Sequence, residues 1–241
     1  MHQLHACIIS WPHQEKKAEA IAKTIAPLVD KLTVIYSTED ESSLEGHGNW
    51  VKVPNHFYFG KKFEKMLKLH RGDILLNIQA DCESEDWGHL IKRCREAFQK
   101  QSQLWLWAPL IDFTPWTNKH VELSYNPITK ESLVTQTDSL VWAFAKPLIQ
   151  KMKLLNYKKN NFGWGIDWIA STYAFHNKHL VVRDQSILVR HPKGTGYDVT
   201  KAYMQQKKFL SQLTEKEHMT YHALQFYSRF IKKVPFGDNT D

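Results

Sequence analysis

Three stretches of the chain carry residue types that could do chemistry. In Ile74-Leu75-Leu76-Asn77-Ile78-Gln79-Ala80-Asp81-Cys82-Glu83, an apolar run delivers the carboxylates Asp81 and Glu83 into the segment that follows it. Hard oxygen ligands at that spacing suit Mg²⁺ or Mn²⁺, which share their coordination with substrate phosphates. The plainer alternative is an acidic turn leading to a helix at Trp87, with Ser84 or Asp86 as its cap. In Asn160-Asn161-Phe162-Gly163-Trp164-Gly165-Ile166-Asp167-Trp168, two glycines bracket a tryptophan and let backbone and indole approach a ring closely. Asp167 either caps the apolar helix Trp168 to Phe175 or serves as general base toward an acceptor hydroxyl. Trp164 between Gly163 and Gly165 favours a site. In Val189-Arg190-His191-Pro192-Lys193-Gly194-Thr195-Gly196-Tyr197-Asp198, His191 lies just past a strand, Ser186 to Val189. A lone histidine there is more often structural. It gains meaning only by converging on Asp81, in which case Lys193 and the glycines could lie along a diphosphate.

The elements that must position these residues follow from periodicity. Leu4 to Ser10, Leu32 to Ser37, Trp50 to Val53, Asp73 to Ile78, Leu104 to Phe113 and Leu133 to Phe144 read as strands. Glu15 to Ala26 reads as a helix. Phe59, Phe63, Met66 and Leu67 share the face of another, which ends near Arg71-Gly72. Trp87, Leu90, Ile91, Cys94 and Phe98 mark a third. Strand and helix alternate through the first half, which predicts a mostly parallel sheet flanked by helices. Ligands of such sheets sit beyond the carboxyl ends of the strands, here after Ile9, Tyr36 and Ile78. Val199 to Lys233 reads as helical, so a main domain over 1–198 and a packed helical extension over 199–241 are expected. The lysines and arginines of that extension read first as a solvated face.

Composition narrows the class. The chain has 241 residues, 42% hydrophobic and 24% charged, enough for one sizeable α/β core. The net charge of +7 favours anionic partners. Three cysteines without a Cys-x-x-Cys spacing predict reduced, buried thiols. No apolar stretch is long enough to span a bilayer, and the first residues read as a strand instead of a signal peptide. A cytoplasmic protein is the expectation.

Taken in order, the three stretches resemble a GT-A glycosyltransferase. Gly60-Lys61-Lys62-Phe63 through Gly72-Asp73-Ile74-Leu75-Leu76-Asn77-Ile78-Gln79-Ala80-Asp81 resembles the family 2 pattern of helix, glycine, apolar strand and Asp-x-Asp. Gly163-Trp164-Gly165-Ile166-Asp167 resembles the Gly-Trp-Gly-x-Asp-type motif of β-1,4-galactosyltransferases, and Arg190-His191 their late metal-binding histidine. The resemblance implies a Rossmann-like GT-A fold with a mixed, mostly parallel central sheet, a nucleotide-sugar donor and a divalent cation, Mn²⁺ or Mg²⁺. It makes Asp81 and His191 metal ligands, with Glu83 as the second choice, and Asp167 the base of an inverting displacement. Gln79 departs from the pattern, standing where the first Asp would fall; it could still bond a ribose hydroxyl. Glu39 or Asp40 would contact the base, Ser10 and Pro12 would line the nucleotide pocket, and Lys61 or Lys62 would approach the diphosphate. Phe162, Gly163, Trp164 and Gly165 would meet the sugar or acceptor.

Two acceptors remain open. One is a hydroxymethylated base in DNA, favoured by the basic charge and by Trp11, Trp116, Phe162, Trp164 and Tyr197, with Lys207, Lys208, Lys232 and Lys233 on phosphates. The other is a surface glycan or glycolipid. A non-catalytic nucleotide- or nucleic-acid-binding module with a degenerate site is the non-enzyme alternative, and the Gln79 departure is its best support.

Overall fold

The structure, a computed structural model, describes residues 2–39, 43–192 and 197–231. Asp40, Lys193, Lys232 and Lys233 lie outside them. In chain order the elements are β1 (Leu4–Ile9), α1 (Glu15–Ile25), β2 (Lys31–Tyr36), β3 (Asn49–Lys52), α2 (Phe59–Leu69), β4 (Ile74–Gln79), β5 (Glu83–Ser84), α3 (Trp87–Lys100), β6 (Leu104–Ile111), α4 (Asn118–Val121), β7 (Glu122–Asn126), β8 (Glu131–Val134), β9 (Val141–Ala145), α5 (Lys146–Lys153), α6 (Ile166–His176), β10 (Leu180–Arg190), α7 (Val199–Leu210) and α8 (Glu215–Phe226). Asp86 caps α3 by accepting from the backbone N–H of His89, as the acidic-turn alternative has it.

The described strands form one sheet in the order β3-β2-β1-β4-β9-β6-β10-β8-β7, with β5 paired to β10. β3, β2, β1 and β4 are mutually parallel, and β6 and β10 are parallel to each other. β9 runs antiparallel between β4 and β6. The carboxyl ends of β1, β2, β4, β6 and β10 therefore face one edge.

Alternation along the strands builds two cores. Cys7, Ile9, Ile35, Leu75 and Phe144 point to the face covered by α2, α5 and α6. Ala6, Ile8, Val34, Leu76 and Ile78 point to the face covered by α1 and α3. The three cysteines are buried and unpaired. α8 packs on α6, where Tyr221 meets the edge of Trp168 at 5.5 Å, and α7 adds Phe209 against Tyr157 at 5.0 Å. Among the described residues, no helix is long and apolar enough to cross a membrane.

One expectation fails. Leu133 to Phe144 is two strands, not one: β8 lies beside β10, and β9 lies between β4 and β6. Thr135-Gln136-Thr137-Asp138-Ser139 between them is a polar run whose side chains would meet the two apolar cores if it continued as a central strand. It links β8 to β9, which lie apart in the sheet. The hairpin of β7 with β8 and the helix α5, started by Pro147 in its first turn, were not legible from periodicity.

A buried histidine pair makes folding acid-sensitive. His5 and His70 stack at 5.4 Å, and the backbone N–H of Arg71 donates to His5 Nδ1 at 3.0 Å. That nitrogen must stay unprotonated. Burial first, then Lys31 and Arg71, lowers the His5 pKa to about 4; burial and His5 lower that of His70 to about 4 as well. Between the ordinary 6.5 and about 4 the unfolded chain binds more protons than the folded one, so stability falls as pH drops through that window. The ceiling is about 3 kcal/mol for each ring. Urea unfolding at pH 7 and pH 4.5 should show a smaller loss in His5→Asn than in the native chain; the same change in both would contradict it.

Candidate active site

The loop between α5 and α6 is built to hold a fixed shape. Gly60 in the first turn of α2 donates its N–H to the Asn161 carbonyl at 2.8 Å, and a Cβ on Gly60 would collide with the Asn160 carbonyl oxygen. Asn161 Oδ1 accepts from the Tyr58 N–H, while its Nδ2 donates to the His56 carbonyl. Asn160 Oδ1 accepts from the Gly163 N–H and its Nδ2 donates to the Trp164 carbonyl. Gln205 Oε1 on α7 accepts from the N–H groups of Asn161 and Phe162. Gly163 and Gly165 both hold φ of +87°, which an L side chain rarely adopts. The helix N-cap is Gly165, with no side-chain cap bond, so Asp167 is not the cap; it lies in the first turn of α6.

Asp167 is partly exposed. Its Oδ2 accepts a hydrogen bond from Gln136 Nε2 at 2.8 Å. Burial raises its pKa to about 7, aided by the charge of Asp138 and opposed by the Trp168 N–H and by Gln136. A carboxylate tuned to that value suits proton abstraction at neutral pH. Aromatic rings cluster at the loop that precedes its helix. Trp164 Nε1 donates to the Tyr197 hydroxyl at 2.7 Å, Phe162 stacks on Tyr197 at 5.0 Å, and Tyr58 lies 5.0 Å from Phe162. Tyr197 feels the charges of both Asp138 and Asp167. Trp116, by contrast, lies edge-on to Trp168 at 5.1 Å.

Asp81 and His191 converge, although 110 residues separate them in the chain. His191 Nε2 lies 3.6 Å from Asp81 Oδ2, and the His191 N–H donates to Asp112 Oδ1 at 3.1 Å. Burial works against the imidazolium, but Asp81, with Asp138 and Asp112 behind it, outweighs that and raises the His191 pKa. Asp138 accepts from Thr114 Oγ1 at 2.7 Å, and burial raises its own pKa. Asp81 Oδ1 is buried without a hydrogen-bond partner. An imidazole and a carboxylate at two strand ends, one oxygen left unpaired, are a donor set that fits Mn²⁺ or Mg²⁺. Among the described residues no group of three or more His, Cys, Asp or Glu is arranged to hold a metal, so substrate oxygens would have to complete the coordination.

The remaining expected residues scatter. Glu83 turns away from this pair: it is exposed and ion-paired to Lys17 at 3.2 Å, because its two-residue strand sits opposite Arg190 on β10. Gln79 is buried, with its amide donating to the Ser139 carbonyl at 3.3 Å, so it braces the polar crossing segment instead of facing a ribose. Lys61 pairs with Glu64 at 3.2 Å. Its neighbour Lys62 is the one that reaches the carboxyl ends of β1 and β2. Lys62 Nζ donates to the Ser10 carbonyl at 2.6 Å and to Ser37 Oγ at 2.8 Å, and lies 4.1 Å from the centre of the Trp11 ring. Burial lowers its pKa to about 7, against the pull of Glu15. Ser10 is buried, Pro12 partly exposed and Glu39 exposed at the same edge.

Gln136, Asp138 and Asp112 are the neighbours that sequence reasoning passed over. The one available signal was the polar run Thr135 to Ser139 inside an otherwise apolar stretch.

Sheet order, helical cover and the edge that carries these groups define the GT-A fold. Solved structures share it at low identity. A mannosyltransferase from Pyrobaculum calidifontis in complex with GDP-Man and Mn²⁺ matches with TM-score 0.60 and 11% identity, over 94% of this chain and 70% of that one. GalNAc-T7 with UDP, GalNAc and Mn²⁺ matches with TM-score 0.58 and 10% identity, over 81% of this chain; the match spans only 44% of GalNAc-T7. Glucosyl-3-phosphoglycerate synthase from Mycobacterium tuberculosis, with Mn²⁺, UDP and glucosyl-3-phosphoglycerate, matches with TM-score 0.55 and 14% identity, over 90% of this chain and 80% of that one. No protein-family model and no curated protein matches the sequence.

Proposed function

We propose that the protein is an inverting glycosyltransferase that moves a sugar from a nucleotide-sugar donor to an acceptor hydroxyl, with Asp167 as base. The observation that carries this is the pairing of two unlike groups at one sheet edge. One is Asp81 with His191, a donor set suited to a divalent cation. The other is a carboxylate whose pKa is raised to about 7, in the first turn of the helix that follows the aromatic loop. A non-catalytic module has no need of the second. The nucleotide-sugar and Mn²⁺ complexes among proteins of like fold support the donor and the metal.

Asp81 and His191 would hold Mn²⁺ or Mg²⁺ against the donor diphosphate. Bound there, the cation would offset the charge of the departing nucleoside diphosphate. The ends of β1 and β2, fastened together by Lys62, would line the nucleotide pocket through Ser10, Trp11 and Pro12. Asp167 would accept the proton of the acceptor hydroxyl as that oxygen attacks the anomeric carbon. Phe162, Trp164 and Tyr197 supply the apolar ring faces on which the acceptor stacks.

For the acceptor, a hydroxymethylated base in DNA is supported by the aromatic rings together with the net charge of +7 and the exposed Lys207 and Lys208 on α7. A glycan is supported by the rings alone. Labelled-sugar transfer to hydroxymethylated duplex, plain duplex and glycan, run side by side, tests both levels. Transfer to the hydroxymethylated duplex that weakens steeply with salt is the expected result. Transfer to the glycan alone removes the DNA acceptor, and no metal-dependent turnover of any nucleotide sugar removes the enzyme.

A further inference from the structure

Most of the segment between β8 and β9 is tied down; its buried side-chain atoms without a partner are Gln136 Oε1 and Thr137 Oγ1. Thr135 donates its N–H to the Val121 carbonyl at 2.8 Å and shares a hydrogen bond with Ser228 Oγ at 2.8 Å. Arg183 Nη2 on β10 donates to the Gln136 carbonyl at 3.2 Å, and Arg183 Nη1 to Asn118 Oδ1 at 2.9 Å. Asp138 is held by Thr114, and the Ser139 carbonyl by the amides of Asn77 and Gln79. Arg183 is itself buried. Clamped on both sides, this segment delivers the Gln136 amide to Asp167.

The chemistry of that contact fixes its direction. An ionised carboxylate only accepts, so the Gln136 NH₂ group must face it. Gln136 is fully buried, and its Oε1 has no partner. A buried amide with an unsatisfied oxygen is a poor choice for stability alone. An apolar side chain of the same length would fill the space without that cost.

We propose that Gln136 is the positioning residue of the base: its Nε2 holds one oxygen of the Asp167 carboxylate so that the carboxylate meets the acceptor hydroxyl in one orientation. This rests on the transferase reading of Asp167. The other groups around Asp167 are Asp138 from the same segment, the Trp168 N–H of its own helix, Tyr197 before α7 and Tyr221 on α8. Burial raises both tyrosines, Tyr221 to about 12, so neither changes charge near neutral pH. Asp138 is common to the native chain and to any Gln136 variant.

The test uses Gln136→Met, close in length but unable to donate, and Gln136→Asn, which keeps the amide but shortens its reach. The Asp167 carboxyl is followed by ¹³C-carboxyl titration of the substrate-free protein, with its resonance assigned by its loss in Asp167→Asn. In Gln136→Met the titration should move upward, since a bond to the ionised form is gone, and kcat should fall about 10- to 100-fold. The acid limb of kcat should move upward with the titration, while the donor KM stays within a few-fold. Gln136→Asn should recover part of both. An Asp167 titration unchanged in Gln136→Met overturns the positioning role. A titration that moves while kcat and its acid limb do not leaves the contact standing and removes Asp167 as the base. Should Gln136→Met not fold, the same readings on Gln136→Asn decide, with no movement there again overturning the proposal.

Discussion

Asp167→Asn should lower sugar transfer by about 10²- to 10⁴-fold while leaving nucleotide affinity nearly unchanged. The amide has the shape of the carboxylate but cannot take a proton. In the native chain the rate should rise with pH through about 7, because burial and Asp138 keep the Asp167 carboxyl protonated below that value and only the ionised form is a base. The variant should lack this limb. Stability should respond in the opposite sense. A carboxylate raised above its usual range disfavours the folded state as pH climbs toward 7, so the variant should unfold no more easily than the native chain at pH 8. Transfer rates across pH, nucleotide titration calorimetry and urea unfolding read these quantities separately. A fall in nucleotide affinity as large as the fall in rate would move Asp167 to the donor side of the site.

Asp81→Ala should abolish the stabilisation that a nucleoside diphosphate with Mn²⁺ gives to thermal unfolding, and lower transfer by about 10³-fold. Asp81 supplies the only carboxylate within reach of His191 Nε2 among the described ion pairs, and its inner oxygen has no other partner. Glu83→Ala should do neither, since that carboxylate is paired with Lys17 on the surface. A melting shift by nucleotide that survives in Asp81→Ala and vanishes in Glu83→Ala would reverse the assignment.

Much of this was legible before the chain was folded. The apolar run ending at Ala80, the two glycines around Trp164 and the histidine beyond Val189 are local patterns, and local patterns bring their residues to strand ends or helix starts wherever those elements are placed. Parallel strands then direct their carboxyl ends to a common edge, which is why Asp81 and His191 could be expected to meet. The choice between Asp81 and Glu83 needed the pairing of β5 with β10, since one short antiparallel strand turns Glu83 toward Lys17. The choice between Lys61 and Lys62 needed the rotation of α2 against the sheet: one of two adjacent lysines had to point inward, and packing of Phe59, Phe63 and Met66 decided which.

The sequence by itself determined the alternation of strand and helix, the buried thiols, the fixed loop around Trp164 and the acids and histidine at the strand ends. These follow from side-chain periodicity and from turn chemistry, which act over a few residues. Only the tertiary structure decided that the stretch from Leu133 to Phe144 breaks in two, that its polar middle links two separated strands, and that Gln136 thereby bonds Asp167 while Asp138 comes within electrostatic reach of His191. Those interactions join residues far apart in the chain. Their free energy lies in burying polar groups against one another, a term that no window of sequence contains.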